Sequence, residues 1–209
     1  MNVKTLSLGQ LGTNCYVISN GEEVLIVDPA AEPEVIFGAV EEIKLPVAGI
    51  LLTHAHYDHI GALDEVQQKY DTDVYMASEE KEWIGDPDLN MSFKRGSMGI
   101  EPIESDIDPV ILQEGDYSIG SFNFEIFHTP GHSPGSLSFY FKEEQRIFSG
   151  DVLFNGGVGR TDLLEGSFDV LMKSIKNKLF QLDDKTTVYP GHGNATSIGK
   201  EKQTNPYIF

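Results

Sequence analysis

Short apolar stretches rich in β-branched and aromatic residues recur along the chain, separated by turns that contain Gly, Asn or Asp. Apolar and polar positions alternate in residues 122–126 and 137–141, which is typical of half-buried strands. Apolar positions three and four residues apart predict helices over 33–43, after His59, and over 168–182. The predicted strands cover residues 3–8, 14–18, 24–27, 49–53, 73–76, 122–126, 137–141, 146–148 and 186–189.

Residues 85–108 interrupt this pattern, because Gly, Pro, Asp and Ser are frequent there and the periodicity is lost. Structureless loops of this length in compact domains are usually either functional or disordered. Four apolar residues within the segment favour a packed loop, and a lid over a site is its functional interpretation. They are Met91, Phe93, Met98 and Ile100.

The order of the elements predicts an α/β protein. Two strand-rich halves, each ending in a helix, indicate a core of two sheets with helices outside. No low-complexity linker divides the 209 residues, so we expect a single domain over 1–209. A hydrophobic content of 40% and a charged content of 23% are typical of a globular chain with a substantial core.

The formal charge of −18 argues against binding to nucleic acid or to anionic membranes, because both interactions require basic patches. The acidic residues are spread along the chain. Groups such as Glu79, Glu80 and Glu82 are therefore interpreted as a solvated surface.

Cys15 is the only cysteine, and its apolar neighbours predict a buried thiol. A chain without an intramolecular disulfide suits a reducing compartment. No apolar stretch has the length of a membrane-spanning helix, and the first residues lack the apolar segment of a signal peptide. We therefore expect a cytoplasmic protein without a membrane partner, whose oligomeric state is left open.

Residues 54–59, His-Ala-His-Tyr-Asp-His, concentrate four potential metal ligands. The cluster follows a predicted buried strand and precedes a predicted helix, so its side chains can converge on one point. Neutral imidazole and carboxylate groups are the usual nitrogen and oxygen ligands of zinc, iron and manganese. Four such groups within six residues are difficult to explain by packing alone.

Three further donors share one setting, in which a strand leads through a glycine-containing turn to the donor. They are His132, Asp151 and His192. Seven donors exceed the coordination of one zinc ion. Two sets that share a carboxylate fit better, because an aspartate can bridge two metals whereas a neutral histidine cannot. We predict a binuclear site with metals roughly 3.5–4 Å apart and a bridging water whose pKa is lowered toward neutrality.

The motifs Thr53–His59, Gly131-His132, Gly150-Asp151 and Gly191-His192 resemble those of the metallo-β-lactamase superfamily over essentially the whole chain. The resemblance implies a four-layer αβ/βα sandwich of two mixed β-sheets with helices outside and the site at the sheet edge. It also implies two divalent metals, zinc in the first instance and iron or manganese as alternatives. By motif position, one metal is assigned to His54, His56 and His132, the other to Asp58, His59 and His192, with Asp151 as the bridge.

An aspartate at position 151, in place of a cysteine, resembles the glyoxalase II-like branch of the superfamily. Residues 191–199 and 201–206 resemble the short bacterial hydroxyacylglutathione hydrolase-like proteins. This resemblance implies hydrolysis of a small thioester, such as a lactoyl-glutathione-like conjugate, by a metal-bridging hydroxide that Asp58 orients and from which it takes the proton. Arg160 is predicted to meet an anionic substrate. Its loop lacks the aromatic residue of glyoxalase II, so another thiol carrier is an open alternative.

Two other activities on the same scaffold stay open. A persulfide dioxygenase-like oxidoreductase would use one Fe(II) ion held by two histidines and one carboxylate. A lactone or β-lactam hydrolase would use the same metals with a differently shaped cavity. A nuclease fits poorly because of the negative charge, and a non-catalytic binding module is least favoured because every donor position is filled.

Overall fold

The computed structural model describes residues 1–93, 96 and 99–208. By its internal contacts the chain divides into two compact units, each built around one six-stranded sheet. Unit 1 comprises Met1–Leu112 and Ile119–Phe122, and unit 2 comprises Gln113–Ser118 and Asn123–Phe209. The expectation of a single domain over 1–209 stays a prediction.

The strands of the unit 1 sheet are β1 (Asn2–Leu8), β2 (Thr13–Ser19), β3 (Val24–Val27), β4 (Val47–Leu51), β5 (Val74–Ala77) and β6 (Val110–Leu112). They lie side by side in the order of the sequence. The first three strands are antiparallel, and from β3 to β6 neighbouring strands are parallel. Because β3 and β4 are parallel neighbours, the residues that follow them lie at the same edge of the sheet.

Three helices pack on this sheet: α1 (Pro33–Ile43), α2 (Tyr57–Ile60) and α3 (Leu63–Tyr70). Alternate strand residues bury one face against them, with Val17 and Ile26 in the same core as Ile36 and Val66. Cys15 is buried here as expected, and burial raises the pKa of its thiol far above the usual range.

The single helix expected after His59 is two helices in the structure. A Cβ at Gly61 would lie 2.3 Å from the carbonyl oxygen of Ala30, so only glycine fits at this position. The next amide, that of Ala62, donates to the carbonyl of Pro29 at 2.9 Å. Gly61 keeps helical dihedral angles, and the backbone leaves the helical path at Ala62, whose φ is −120° and ψ 19°. The helix α3 therefore begins anew at Leu63.

The strands of the unit 2 sheet are β7 (Gly115–Ile119), β8 (Phe122–His128), β9 (Leu137–Phe141), β10 (Arg146–Gly150), β13 (Thr187–Pro190) and β14 (Thr196–Ser197). Their order in the sheet is β14-β13-β10-β9-β8-β7, and β10 and β13 are parallel neighbours. A separate hairpin joins β11 (Leu153–Phe154) to β12 (Gly157–Val158). The turn of the β7–β8 hairpin, Ile119–Phe122, belongs to unit 1.

Two helices complete unit 2: α4 (Phe168–Asn177) and α5 (Ile198–Thr204). Leu171 and Ile175 of α4 share a buried core with Ile147 and Val188 of the sheet. The helix predicted over 168–182 ends at Asn177, and a 3₁₀ turn over Leu179–Gln181 continues its apolar face.

The segment 85–108 has little regular structure, but buried polar side chains tie it together. Asn90 donates through Nδ2 to the carbonyls of Trp83 and Ile103 at 2.9 and 3.0 Å, and the carbonyl of Asn90 accepts from the amide of Tyr57. Of the four apolar residues noted in the sequence, Met91 and Ile100 are half-buried and Phe93 is exposed, while Met98 lies outside the described residues. A lid function stays a prediction.

Candidate metal centre

Two of the four donors of unit 1, His54 and His56, lie on the loop after β4, and the other two, Asp58 and His59, lie in the short helix α2 that follows. His54, His56 and His59 are buried, and Asp58 is partly exposed. The ligand atoms of His54 lie within 4.8 Å of those of His56 and of His59. The strand-to-helix turn expected from the sequence therefore brings these side chains together.

Asp28, which follows β3, fixes the orientation of this loop. Its carboxylate accepts from the amide and the hydroxyl of Thr53 at 2.7 and 2.6 Å and lies 2.9 Å from Nδ1 of His59. The Thr53 hydroxyl, which already donates to Asp28, lies 3.1 Å from Nδ1 of His54. Both imidazoles therefore carry the Nδ1 proton and present the lone pair of Nε2, as metal-binding histidines commonly do.

Asp28 has a φ of 50°, a left-handed conformation that is unusual for a residue other than glycine. Such conformations persist where the surrounding structure fixes them, often at functional sites. Sequence reasoning missed this residue. The available signal was its position, because Asp28 directly follows the predicted buried strand β3. The helix α1 and then the strand β4, which leads to the histidines, come after it.

Glu80 corrects the interpretation of its acidic stretch as a solvated surface. Glu79 and Glu82 are exposed, but Glu80 is fully buried, and its carboxylate accepts from the amide of Ala55 at 2.6 Å. A buried carboxylate requires hydrogen bonds to offset its lost hydration. This acceptor holds the backbone between His54 and His56.

Asp58 faces a cavity of unit 1 with a volume of about 560 Å³. Its Oδ2 accepts from the hydroxyl of Thr13 at 2.8 Å and lies 3.6 Å from Nε2 of His59. Apolar side chains and acidic side chains line the cavity, among them Leu8, Leu11, Ile60, Leu63, Asp64 and Glu101.

The three donors of unit 2 come from three strand ends. Asp151 and His192 follow the parallel neighbours β10 and β13, and the amide of Gly191 donates to the carbonyl of Gly150 at 2.8 Å. His132 follows β8 through Gly131, whose φ is 133°. A Cβ at Gly131 would lie 2.3 Å from the backbone nitrogen of Leu171, so the turn requires glycine.

The carboxylate of Asp151 lies between the two imidazoles. Its Oδ2 is 3.6 Å from Nε2 of His132 and 3.5 Å from Nε2 of His192. These separations exceed a hydrogen bond. Two ligands of one tetrahedral zinc, each about 2.05 Å from the metal, lie roughly 3.3 Å apart. The chemistry and spacing of the donors therefore fit metal binding, and a carboxylate within ligand distance of two histidines fits a bridging position.

Arg160 contributes to this region in two ways. Its backbone carbonyl accepts from Nδ1 of His132 at 2.8 Å, which aims Nε2 of that ring towards Asp151 and was not foreseen from the sequence. Its exposed guanidinium makes two hydrogen bonds of 2.8 Å to Asp162, and these lower the pKa of Asp162 to about 2. The predicted role of its side chain in substrate binding stays a prediction.

Comparisons with known proteins identify the family. The model of the metallo-beta-lactamase superfamily matches residues 8–192. The chain is 43% identical over 209 residues to the probable metallo-hydrolase YqgX of Bacillus subtilis, covering 100% of this chain and 98% of the relative. It is 35% identical over 211 residues to the hydroxyacylglutathione hydrolase GloC of Haemophilus influenzae, with coverage of 100% and 98%.

Two solved structures are also similar. The crystal structure of the BLEG-1 B3 metallo-beta-lactamase has a TM-score of 0.94 and 41% identity and covers 99% of each chain. The crystal structure of TTHA1623 in a di-iron-bound form has a TM-score of 0.88 and 36% identity, covering 98% of this chain and 100% of that one.

The fold and the donor-rich loops define a metal-dependent hydrolase, and the chain belongs to the metallo-β-lactamase superfamily. The predicted fold class, two mixed β-sheets with flanking helices, is confirmed. The His/Asp clusters indicate divalent metals. Within the residues that the structure describes, no helix is long and apolar enough to span a membrane.

Proposed function

We propose that the protein is a binuclear metal-dependent thioester hydrolase. In this proposal His54, His56 and His132 would hold one metal, Asp58, His59 and His192 would hold the other, and Asp151 would be shared. The observation that carries this proposal is Oδ2 of Asp151, which lies 3.6 and 3.5 Å from Nε2 of His132 and of His192. The di-iron form of a structure similar over 98% of this chain supports a count of two. Zinc is the proposed metal, with iron and manganese as alternatives.

Two bound divalent metals would lower the pKa of a shared water and polarise the substrate carbonyl. The protein's own residues orient the reaction. Thr13 donates to Oδ2 of Asp58 and fixes that carboxylate, so that Asp58 can orient the nucleophile and accept its proton. Asp28 keeps the imidazole of His59 in one tautomer through its contact with Nδ1.

A thioester is the proposed substrate because a thiolate leaves readily from a tetrahedral intermediate. The relative named hydroxyacylglutathione hydrolase, 35% identical over the whole chain, supports this choice. The cavity beside Asp58 has apolar walls with acidic residues and suits an uncharged acyl group. An anionic thiol carrier would then be met by Arg160, whose side chain is exposed. We place the enzyme in the cytoplasm, acting on a small molecule.

A β-lactam hydrolase is the second candidate, since the structure with a TM-score of 0.94 is described as a B3 metallo-beta-lactamase. A β-lactam amide requires more assistance to its leaving nitrogen than a thioester requires for its sulfur. The same donor set would serve both reactions, so the relative activity on the two kinds of substrate distinguishes the two candidates.

The test compares three activities of protein loaded with zinc, iron or manganese. They are hydrolysis of lactoyl-glutathione, hydrolysis of a chromogenic cephalosporin, and oxygen uptake in the presence of glutathione persulfide. We expect thioester hydrolysis at the highest kcat/KM, with His54→Ala as the inactive control. Faster cephalosporin hydrolysis would favour the second candidate. Oxygen uptake on the persulfide by iron-loaded protein, with no thioester hydrolysis, would overturn the proposal.

A further inference from the structure

One backbone segment of unit 2 contacts both His132 and Asp151. Gly159 packs so closely on Asp151 that an added Cβ would lie 1.8 Å from the Asp151 carbonyl oxygen and 3.2 Å from Cβ of His132. The next residue, Arg160, accepts from Nδ1 of His132 through its carbonyl. The path of this segment therefore determines where both predicted ligands point.

The segment leaves the β11–β12 hairpin, which has only two paired positions, Leu153 with Val158 and Phe154 with Gly157. A two-stranded hairpin is marginally stable by itself, even when it is longer than this one. Its conformation therefore depends on contacts with the rest of the chain.

The C-terminal helix α5 supplies those contacts through a buried carboxylate. Glu201 is fully buried, and its Oε2 accepts from the amide of Gly156 at 3.0 Å and from Nδ2 of Asn205 at 2.8 Å. Its Oε1 accepts from the hydroxyl of Thr196 at 2.5 Å. Three donors at this carboxylate offset the cost of burying its charge.

Asn205 extends the same connection. Its Nδ2 also donates to the carbonyl of Gly157 at 2.9 Å, so Glu201 and Asn205 hold the amide and the carbonyl of adjacent hairpin residues. At the exposed hairpin tip, Asn155 donates to the carbonyl of Ala195 at 3.2 Å and accepts from Lys200 at 2.8 Å. The hairpin is thus fixed along its length by residues 195–205.

We propose that Glu201, together with Asn205, is a positioning residue of the metal site. The helix α5 holds the hairpin, the hairpin sets the carbonyl of Arg160, and that carbonyl orients His132 against Asp151. The inference rests on the proposed metal site, to which it adds a determinant at the C-terminal end of the chain. Glu201 touches neither metal nor substrate and acts through the backbone alone.

The experiment measures zinc affinity by competition with a chromogenic chelator, together with the visible absorption spectrum of the cobalt-substituted protein. The variants are Glu201→Ala and Glu201→Gln. Residues that orient metal ligands typically contribute 10–100-fold to affinity, and we expect a loss of about tenfold for Glu201→Ala with a changed cobalt spectrum. Glu201→Gln should stay near wild type, because its amide oxygen still accepts from Gly156 and Asn205 and its nitrogen can donate to Thr196.

Lys202→Ala is the matched control on the same helix. The ammonium group of Lys202 donates to Asp184 at 2.6 Å and to the carbonyl of Leu182, both of which lie outside the hairpin. It should leave both the affinity and the spectrum unchanged. If Glu201→Ala does not fold, Asn205→Ala, which removes the bond to Gly157, takes its place with the same expected direction.

Wild-type affinity in Glu201→Ala, or an equal loss in Lys202→Ala, would overturn the positioning role while leaving the metal site intact. If the wild-type protein itself bound no metal, the proposed function would fail first, and the two failures are therefore distinguishable.

Discussion

The two units position the proposed metal ligands in different ways. In unit 1 the four donors lie within one six-residue turn from loop to helix, residues 54–59, and the buried carboxylates of Asp28 and Glu80 hold that turn. In unit 2 the donors come from three strand ends, and backbone contacts at glycines and at the carbonyl of Arg160 hold them. Side-chain chemistry orients one set and the backbone path orients the other, so the two sets should respond to different substitutions.

Gly131→Ala tests the donors of unit 2, which the backbone path orients, and should have the largest effect on stability. A Cβ at Gly131 would lie 2.3 Å from the backbone of Leu171 in α4, and its φ of 133° is strained for any other residue. We expect a loss of about 3 kcal/mol of unfolding free energy and a loss of zinc. Urea unfolding and metal analysis measure both.

Gly21→Ala is the matched control, since its φ is also positive, at 98°, but no atom lies within 4 Å of the added Cβ. It should lose only about 1 kcal/mol from the backbone conformation and should keep its metal. Equal losses in the two variants would show that the close approach to α4 is unimportant.

Asp28→Asn tests the set that side chains orient. The side-chain amide that this substitution introduces would present an N–H donor to Nδ1 of His59. It would therefore favour the tautomer with the proton on Nε2, which lacks the lone pair needed to bind a metal. We expect a fall in kcat/KM of about 100-fold with reduced metal content. Asp71→Asn is the control, because Asp71 has a similar φ of 47° and is exposed. Wild-type kinetics in Asp28→Asn would remove the tautomer argument.

Glu80→Ala should cost about 2 kcal/mol of unfolding free energy, because the buried amide of Ala55 loses its acceptor. Its neighbour Glu79 is exposed, and Glu79→Ala should change stability by less than about 0.5 kcal/mol. Urea denaturation of the two variants side by side gives the comparison. Similar values would mean that the Ala55 contact contributes nothing to stability.

Arg160→Ala should have the smallest effect, because the side chain is exposed. We expect KM to rise a few fold for an anionic thioester and to stay unchanged for a neutral one. Asp162→Ala should lower KM for the anionic substrate by freeing the guanidinium. Since the pKa of Asp162 is lowered to about 2, its carboxylate stays charged above that pH. The pair should therefore add no titration to kcat/KM between pH 5 and 9, and a KM unchanged in both variants would remove Arg160 from substrate binding.

Sequence patterns predicted the fold class because strand and helix periodicity are local properties. They missed the strands β6, β7, β11, β12 and β14, whose conformation depends on pairing with other strands. The break between α2 and α3 also escaped prediction, because it depends on contacts with the distant carbonyls of Pro29 and Ala30.

The candidate site shows the same division. The donors of residues 54–59 stand out because they are adjacent in the sequence, and the three distant donors were recognised from a repeated strand–glycine–donor pattern. Asp28, Glu80 and Glu201 look like ordinary acidic residues, and only their burial against specific backbone groups distinguishes them. The carbonyl of Arg160 carries no signal in the sequence, because every residue has one.

The most direct test of the central claim, that Asp151 is shared by two metals, is the metal content per chain of wild type, Asp151→Asn and His192→Ala by plasma mass spectrometry. The account predicts about two metals for wild type, about one for His192→Ala, and fewer than one for Asp151→Asn, because the shared carboxylate serves both metals. One iron per chain in wild type, or one tightly held metal retained in Asp151→Asn, would contradict it.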